Sequence, residues 1–493
     1  MEAARRVDPN ALYEEGLRQH EAGRHAEAAR TLASAIELRP RWPDAMTALG
    51  NVARAMGQTN DAMALHRAAL TEAPESAAIW SNLALAHKAA GDVGEAIACL
   101  ARAAALAPED AAIRFNLGNA YRAAGRAEAA IAAYEDALMR EPVHMGARVN
   151  KAAVLKEAGR VSDAVTLLEE AVRHDPTHAE AEWNLALALL LSGRMADGWR
   201  AYEARRRLPS FPVRRVAGPD WLGEPLGGKS LLIHAEQGLG DTIQFVRYVR
   251  FAARAGARTV LATPRSMHRL LDTCHGLDEV VAPEAEGSHA RQIPLLSLPR
   301  LAAEWPGTGE TPYLYAEPAK ARAWGERLGP HQGLRIGICW QGNPNYAGDA
   351  QRSVPLEAFA PLASIPGVTL YSLHKGPGQA KLSGVGAALK IVDLGAELDR
   401  EGHAFVDTAA AMSHLDLVIS TDTAIPHLAG ALGRPVWLLL PHVPDWRWGL
   451  AGGTTPWYPT MCLFRQASPG DWPSVFARVR AALAGFEQES PLP

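Results

Sequence analysis

Cysteine is scarce in this chain: four in 493 residues (Cys99, Cys274, Cys339 and Cys462), too far apart to form a paired motif. That argues against a disulfide framework and a structural zinc site, and it fits a reducing compartment. No apolar run approaches the roughly 20 residues a membrane helix needs. The opening Met1–Asn10 is polar and lacks the apolar centre of a secretory leader. A cytoplasmic protein without a transmembrane segment is therefore expected. Neither charge sign dominates, with 50 Lys and Arg against 54 Asp and Glu and a net charge of −4, so a nucleic-acid partner is not indicated. No Asp-x-Asp sequence occurs, which removes the usual manganese-dependent sugar-nucleotide site, and neither metal nor cofactor is expected. A dinucleotide fingerprint fails because Ile243 stands where its third glycine belongs. The chain is read as having no phosphate-binding P-loop.

What the sequence does have is a period. Gly23, Gly57, Gly91, Gly125, Gly159 and Gly193 are each 34 residues apart, and so are Pro40, Pro74, Pro108, Pro142 and Pro176. Two columns of alanine keep the same step, Ala28 to Ala164 and Ala35 to Ala171. A glycine tolerates the left-handed turn that ends a first helix. A proline cannot continue the second helix. The alanines mark close helix approach. This resembles the tetratricopeptide repeat, a helix-turn-helix unit whose stack presents a curved surface to a partner. Repeats are expected to start near Pro9, Pro43, Ala77, Ala111, Met145 and Ala179, the sixth being partial, so that residues 1–208 form the repeat domain.

Asn82, Asn116, Asn150 and Asn184 also recur every 34 residues, at one position of the first helix. On the groove of such a stack they would form a ladder able to donate to and accept from an extended acceptor backbone. The alternative is local capping or bonding between repeats. Residues 209–229 read as a linker, and Arg205, Arg206, Arg207, Arg214 and Arg215 around it read as a solvated basic stretch or, less simply, a phosphate contact.

From Ser230 the pattern changes to alternating strands and helices. Strands are expected at Leu231–Ala235, Arg258–Thr263, Leu277–Ala282 and Gln292–Leu296, then at Leu334–Trp340, Val368–Leu373, Lys390–Leu394, Leu417–Ser420 and Pro435–Leu440, with a closing helix at Trp472–Phe486. Apolar strands separated by helices imply parallel sheets covered on both faces. The fold class is thus an α-helical superhelix followed by two α/β Rossmann-like lobes, at 230–320 and 333–486, joined near Pro318–Gly333. Ligands of such lobes sit at the carboxyl ends of strands.

Two strand ends carry polar motifs. Gln237-Gly238-Leu239-Gly240-Asp241 follows the first strand, and Asp241 there is either a general base or a helix cap. Asp422-Thr423-Ala424 ends a later strand and leads into Pro426-His427, a hydroxyl-bearing helix start suited to an anion. His427 either reaches that anion or packs. Arg352 and Lys375 follow neighbouring strands, where they could neutralise phosphate or simply be surface charges. The aromatics of Pro444–Trp448 and Pro456–Pro459 either stack on a sugar or base or pack the tail across the lobes, the second being preferred.

Together, Gly238–Asp241, Asp422–Ala424 and His427-Leu428-Ala429-Gly430-Ala431-Leu432-Gly433 resemble the heptosyltransferase-like glycosyltransferases of GT-B fold, over roughly Ser230 to Leu483. The resemblance implies that Asp241 is the catalytic base and that the segment Asp422–Ala424 binds donor phosphates, although Ala424 stands where that family usually has glycine. The layout is similar to O-GlcNAc-transferase-type and flagellin-modifying bacterial transferases, in which an asparagine-lined repeat groove presents a polypeptide. A metal-independent glycosyltransferase is therefore expected. A nucleotide sugar is its substrate, Arg352, Lys375, Asp422, Thr423, Ala424 and His427 hold the donor, and the asparagines hold a protein acceptor, flagellin being one candidate. Transfer to a lipid-linked or saccharide acceptor, and a non-catalytic scaffold, are the rival readings.

Overall fold

The computed structural model describes residues 8–211, 218–285, 287–302, 311–346 and 348–486. Pro212, Arg214 and Arg215 of the linker, and residues 1–7, lie outside them. Two compact units divide at Asn184/Leu185.

The first unit is a stack of helix pairs, and its first helices begin at Pro9, Pro43, Ala77, Ala111 and Met145, the starts the period implies. All six periodic glycines have φ between 70° and 86°, the left-handed turn that a side chain would strain. Each periodic proline lies two residues beyond the last residue of a second helix (Leu38, Glu72, Leu106, Arg140 and His174). The ten periodic alanines are all fully buried, so adding a methylene at any of them overpacks the stack. Where a repeat has glycine as the eighth residue of its first helix, the second helix presses a large side chain onto it. A Cβ at Gly118 would come 2.5 Å from Tyr134, and one at Gly50 would come 2.7 Å from His66.

His66 is fully buried with no partner for either ring nitrogen among the described residues, and its pKa is lowered to about 4, chiefly by burial and then by Arg54. A histidine depressed on folding stabilises above its unfolded pKa of about 6.5 and loses that contribution as pH falls toward 4. Stability of the repeats should therefore drop by about 2 kcal/mol from this residue between pH 7 and pH 4.5. His66→Leu, which installs an apolar side chain of similar reach, should flatten that part of the slope in urea titrations at the two pH values. An unchanged slope would assign the acid sensitivity to other groups.

The second unit begins inside the helix Ala179–Leu191 and takes in Met195–Tyr202. Residues 185–208, which the period places with the repeats, pack with the α/β unit. The physical reason is aromatic: Trp199 meets Phe245 and Trp446 edge-on, at 5.6 and 5.3 Å between ring centres. Arg205 corrects the solvated-linker reading. It is fully buried and bonded by Nε and Nη2 to Glu236, at 3.0 and 2.6 Å. Arg206 pairs with Asp220 at 2.8 Å.

Two all-parallel sheets complete the unit. The first contains β1 (Ser230–His234), β2 (Arg258–Ala262), β3 (Glu279–Val281) and β4 (Arg291–Pro294) in the order β3-β2-β1-β4. The second contains β5 (Leu334–Cys339), β6 (Val368–Ser372), β7 (Val392–Asp393), β8 (Leu417–Thr421), β9 (Val436–Leu440) and β10 (Met461–Arg465) in the order β10-β9-β8-β5-β6-β7. Ile338 of β5 lies opposite Ser372 on one side and Ile419 on the other. The chain runs outward from β5 through β6, then returns to β8, so the strand order reverses beside β5. The strand expected at Lys390–Leu394 shrinks to β7, with Lys390 itself at φ 54°. β10 was not expected at all. The closing helix Trp472–Phe486 buries Val475, Phe476, Val479 and Leu483, and Phe476 meets Phe359 edge-on at 4.9 Å.

The P-loop reading also needs correction. Gly223-Glu224-Pro225-Leu226-Gly227-Gly228-Lys229-Ser230 fits the G-x-x-x-x-G-K-S spacing. It leads into β1, however, instead of joining a strand to a helix. Its Leu226, Gly228 and Lys229 N–H groups donate to the carbonyls of Ala255, Gly256 and Leu226. They are thus spent within the fold and form no phosphate cradle.

Candidate functional site

The turn after β1 presents Asp241 on the first turn of the helix Leu239–Phe245. Its Oδ2 accepts the Gly238 N–H at 2.9 Å, so the carboxylate does cap that turn. Its Oδ1 accepts from Arg447 Nη2, on a loop of the second lobe. Arg447 is held in turn by Asp445 Oδ1 at 2.8 Å and Gln244 Oε1 at 2.6 Å. Burial pushes the Asp241 carboxyl above the usual range, and the Arg447 guanidinium pulls it partly back. The turn opens on Gln237 at φ 63°, a conformation costly for a residue with a Cβ.

At the end of β8, Thr423 is the N-cap of the helix Ala424–Ala431, and its hydroxyl accepts the Ile425 N–H at 3.3 Å. The helix therefore starts two residues earlier than Pro426. The two motifs meet here. A Cβ built on Gly240 would lie 3.3 Å from Ala424 Cα and 3.5 Å from His427 Cδ2, so only glycine allows the two lobes this approach without crowding. Asp422 faces Asp445, Arg447 and Arg352, and burial followed by Asp445 raises its pKa to about 6.

His427 packs. Its Nδ1 lies 3.0 Å from the Tyr458 hydroxyl and its ring stacks on Trp448 at 5.4 Å. Burial, then Arg447 and Arg247, keep it far below the usual histidine range, so it is neutral beside Asp422. The aromatic tail packs as well, with Trp446, Trp448, Trp457 and Tyr458 all buried. Arg247, from the first lobe, ties that tail down through Trp457 O at 2.6 Å and Tyr313 OH at 2.9 Å.

A cavity of about 490 Å³ opens where the strand order reverses. Cys339 (end of β5), His374 and Lys375 (after β6), Thr423, Ala424 and Phe405 line it. Asp399 and Phe405 on its wall have φ of 51° and 67°. Strain of this kind gathers at ligand sites. Burial raises the Cys339 thiol to about 11 and lowers His374 to about 4. Their contact of 3.7 Å is therefore between neutral groups, and no thiolate nucleophile results. Among the described residues, no group of three or more His, Cys, Asp or Glu side chains is placed to hold a metal.

Of the sequence-predicted donor residues, Lys375, Thr423 and Ala424 line the cavity. Lys375 Nζ donates to Leu398 O at 2.5 Å, and so is engaged. Arg352 Nε donates to Asp349 at 3.0 Å, with the guanidinium 4.8 Å from the Tyr346 ring centre. Arg352, Asp422 and His427 are not on the cavity wall; Arg352 acts on Asp422 and His427, and both of these face Arg447, the partner of Asp241. Arg447 was missed as a site residue. Its signal was an arginine between two tryptophans in a tail read only for its aromatics.

The asparagine column is partly spent. Asn150 Nδ2 donates to Asn119 Oδ1 at 2.7 Å, a bond between repeats, and Asn184 Nδ2 donates to Glu180 O at 2.9 Å, back along its own helix. Asn82 and Asn116, at the same position, are half-buried.

Family models described as tetratricopeptide repeat match residues 75–138, 47–98 and 149–210. The chain is 29% identical over 322 residues to Protein FlbA of Caulobacter vibrioides, a match that takes in 59% of this chain and 52% of FlbA. The chain thus spans about half the length of the curated relative it matches, and the matched stretch is longer than the repeat region. Similar solved structures include MamA (24% identity, TM-score 0.31, covering 34% of this chain and 96% of that one). TTC0263, a thermophilic repeat protein of Thermus thermophilus, is 21% identical with a TM-score of 0.32, covering 37% and 100%. Pseudomonas aeruginosa pilF is 19% identical with a TM-score of 0.37, covering 41% and 92%. No described helix is long and apolar enough to cross a membrane.

Proposed function

We propose that the second unit is a GT-B-type glycosyltransferase, acting without a metal on a nucleotide sugar, and that the repeats hold its protein acceptor. Flagellin remains the candidate acceptor that the sequence resemblance implies. The observation that carries this reading is the meeting of Gly240 with Ala424 and His427, which brings the Gly238–Asp241 turn of one lobe against the Thr423–Ala424 turn that lines the cavity of the other. The donor's phosphate would rest on the Thr423–Ile425 helix start, where the Thr423 hydroxyl and the positive end of the helix dipole favour an anion. Lys375 would add charge by leaving Leu398 O. Asp241 would take the proton of the acceptor hydroxyl, with Arg447 setting its orientation.

Thr423→Val and Lys375→Met should each weaken binding of a nucleoside mono- or diphosphate panel, read by thermal shift. A nucleotide at 100 times its dissociation constant stabilises by roughly 2.7 kcal/mol. No shift with any nucleotide would sink the donor site, and unchanged affinity in both variants would move it elsewhere.

The ion pair between Asp241 and Arg447 favours a second reading, in which Asp241 only joins the two lobes and the unit binds without transferring.

A further inference from the structure

We infer that the inner face of the repeats is built for an acidic polypeptide segment, extended, with carboxylates at about every third residue. This rests on the reading that the repeats hold a protein partner, and it names that partner's chemistry. The twelfth residue of the first helix is basic in five consecutive repeats: His20, Arg54, Lys88, Arg122 and Lys156. The helix dipole favours a cation anywhere in a last turn. It does not explain why all five occupy one column.

The column runs along successive first helices. First helices of neighbouring repeats touch directly (the first with the second, the second with the third, the fourth with the fifth), and they do so more than second helices do. That places them on the inner side of the curve. His20 is held below the usual histidine range by burial, by His25 and by the charge of Arg54 one repeat on. Arg122 reaches the next first helix and bonds Glu157 at 2.5 Å. Lys88, in the middle, is exposed. The Arg54 Nε has no acceptor among the described residues. The thirteenth residues beside Arg54, Lys88 and Arg122 are Ala55, Ala89 and Ala123, so no carboxylate follows those three cations on their own helices.

Spacing selects the occupant. Packed helices lie about 8–10 Å apart, and an extended chain advances about 3.3 Å per residue. A carboxylate at every third residue therefore meets successive rungs.

The test uses the full chain and a fluorescent 15-residue peptide of serine and glycine with aspartate at every third position. A twin peptide carries asparagine there. At low salt the aspartate peptide should bind about tenfold more tightly by anisotropy, and 0.5 M NaCl should erase the difference. Arg54→Gln, Lys88→Gln and Arg122→Gln together should abolish the preference. Lys88→Gln alone touches only an exposed side chain and should lower the preference without moving the melting temperature. Equal affinity for the two peptides, a preference that survives the triple variant, or tighter binding of single-stranded RNA overturns the proposal. No nucleotide enters this assay. Aspartate preference with no nucleotide thermal shift leaves the basic column standing and removes the donor site, whereas a nucleotide shift without aspartate preference removes the basic column alone.

Discussion

Asp241→Asn should lower sugar transfer by about 10²-fold or more and leave nucleotide affinity unchanged. Asparagine cannot take a proton, but it keeps the shape of the turn. Its amide oxygen can still accept the Gly238 N–H that Asp241 accepts at 2.9 Å. Arg447 keeps Asp445 and Gln244 as partners, so no buried guanidinium is left bare. The amide then turns an N–H toward the Arg447 Nη2 that Asp241 Oδ1 accepts from, so the melting temperature should fall somewhat. Asp241→Ala should lose activity and also the cap, at about 1 kcal/mol. Because burial raises the Asp241 carboxyl above the usual range, wild-type kcat/KM should climb with pH through that raised value as the carboxylate forms, and the asparagine variant should show no such limb. An active Asp241→Asn enzyme would leave the residue as a cap and an anchor for Arg447, with the base elsewhere. If Asp241→Asn melts much earlier than wild type and still transfers sugar, the lobe-joining reading wins.

The largest stability effect is expected from Arg205→Met, a loss of about 3–5 kcal/mol in the second unit. The Arg205 guanidinium is fully buried. It reaches Glu236 by two bonds, Glu203 Oε1 at 3.0 Å, Ser297 Oγ at 2.8 Å and Tyr202 O at 3.1 Å. Removing the cation strands the half-buried Glu236 carboxylate, which among the described residues keeps only the Leu296 N–H, at 3.1 Å, whereas Glu203 retains Ser297 Oγ at 2.7 Å and Arg206 at 3.6 Å. Arg205→Met with Glu236→Gln should recover much of the loss, because the stranded charge is then gone. Urea unfolding followed by tryptophan fluorescence reads both, fitted as separate transitions for the two units since two-state behaviour is not assured across them. Simple addition of the two single-variant losses would show that the ion pair is not the cause. Glu236 immediately precedes Gln237, whose left-handed φ opens the Asp241 turn. The pair therefore holds the base of the candidate site, and the single variant should also lose transfer.

The repeats were legible because everything they need is local. A first helix, its glycine turn and its second helix contact one another within 34 residues, and left-handed φ at Gly23 through Gly193 is a property of single positions. Strands β1, β5, β8 and β9 were legible as apolar runs, since a strand buried on both faces has no polar alternation to hide it. β10 was not, because no α-helix precedes it. A loop of prolines and tryptophans makes the crossover from β9, and Met461–Arg465 reads as the end of that loop. Likewise Arg205 sat in a run of arginines that looked solvated, and its carboxylate partner is 31 residues away. By itself, then, the sequence determined the repeat period, the two parallel sheets and the residue types at each strand end. Only tertiary structure decided that Arg447 meets Asp241 across 206 residues and that Gly240 nests against Ala424. It also decided that Asn150 and Asn184 spend their amides inside the stack. Periodicity says which face of an element is buried, whereas which distant side chain buries it depends on how the lobes close.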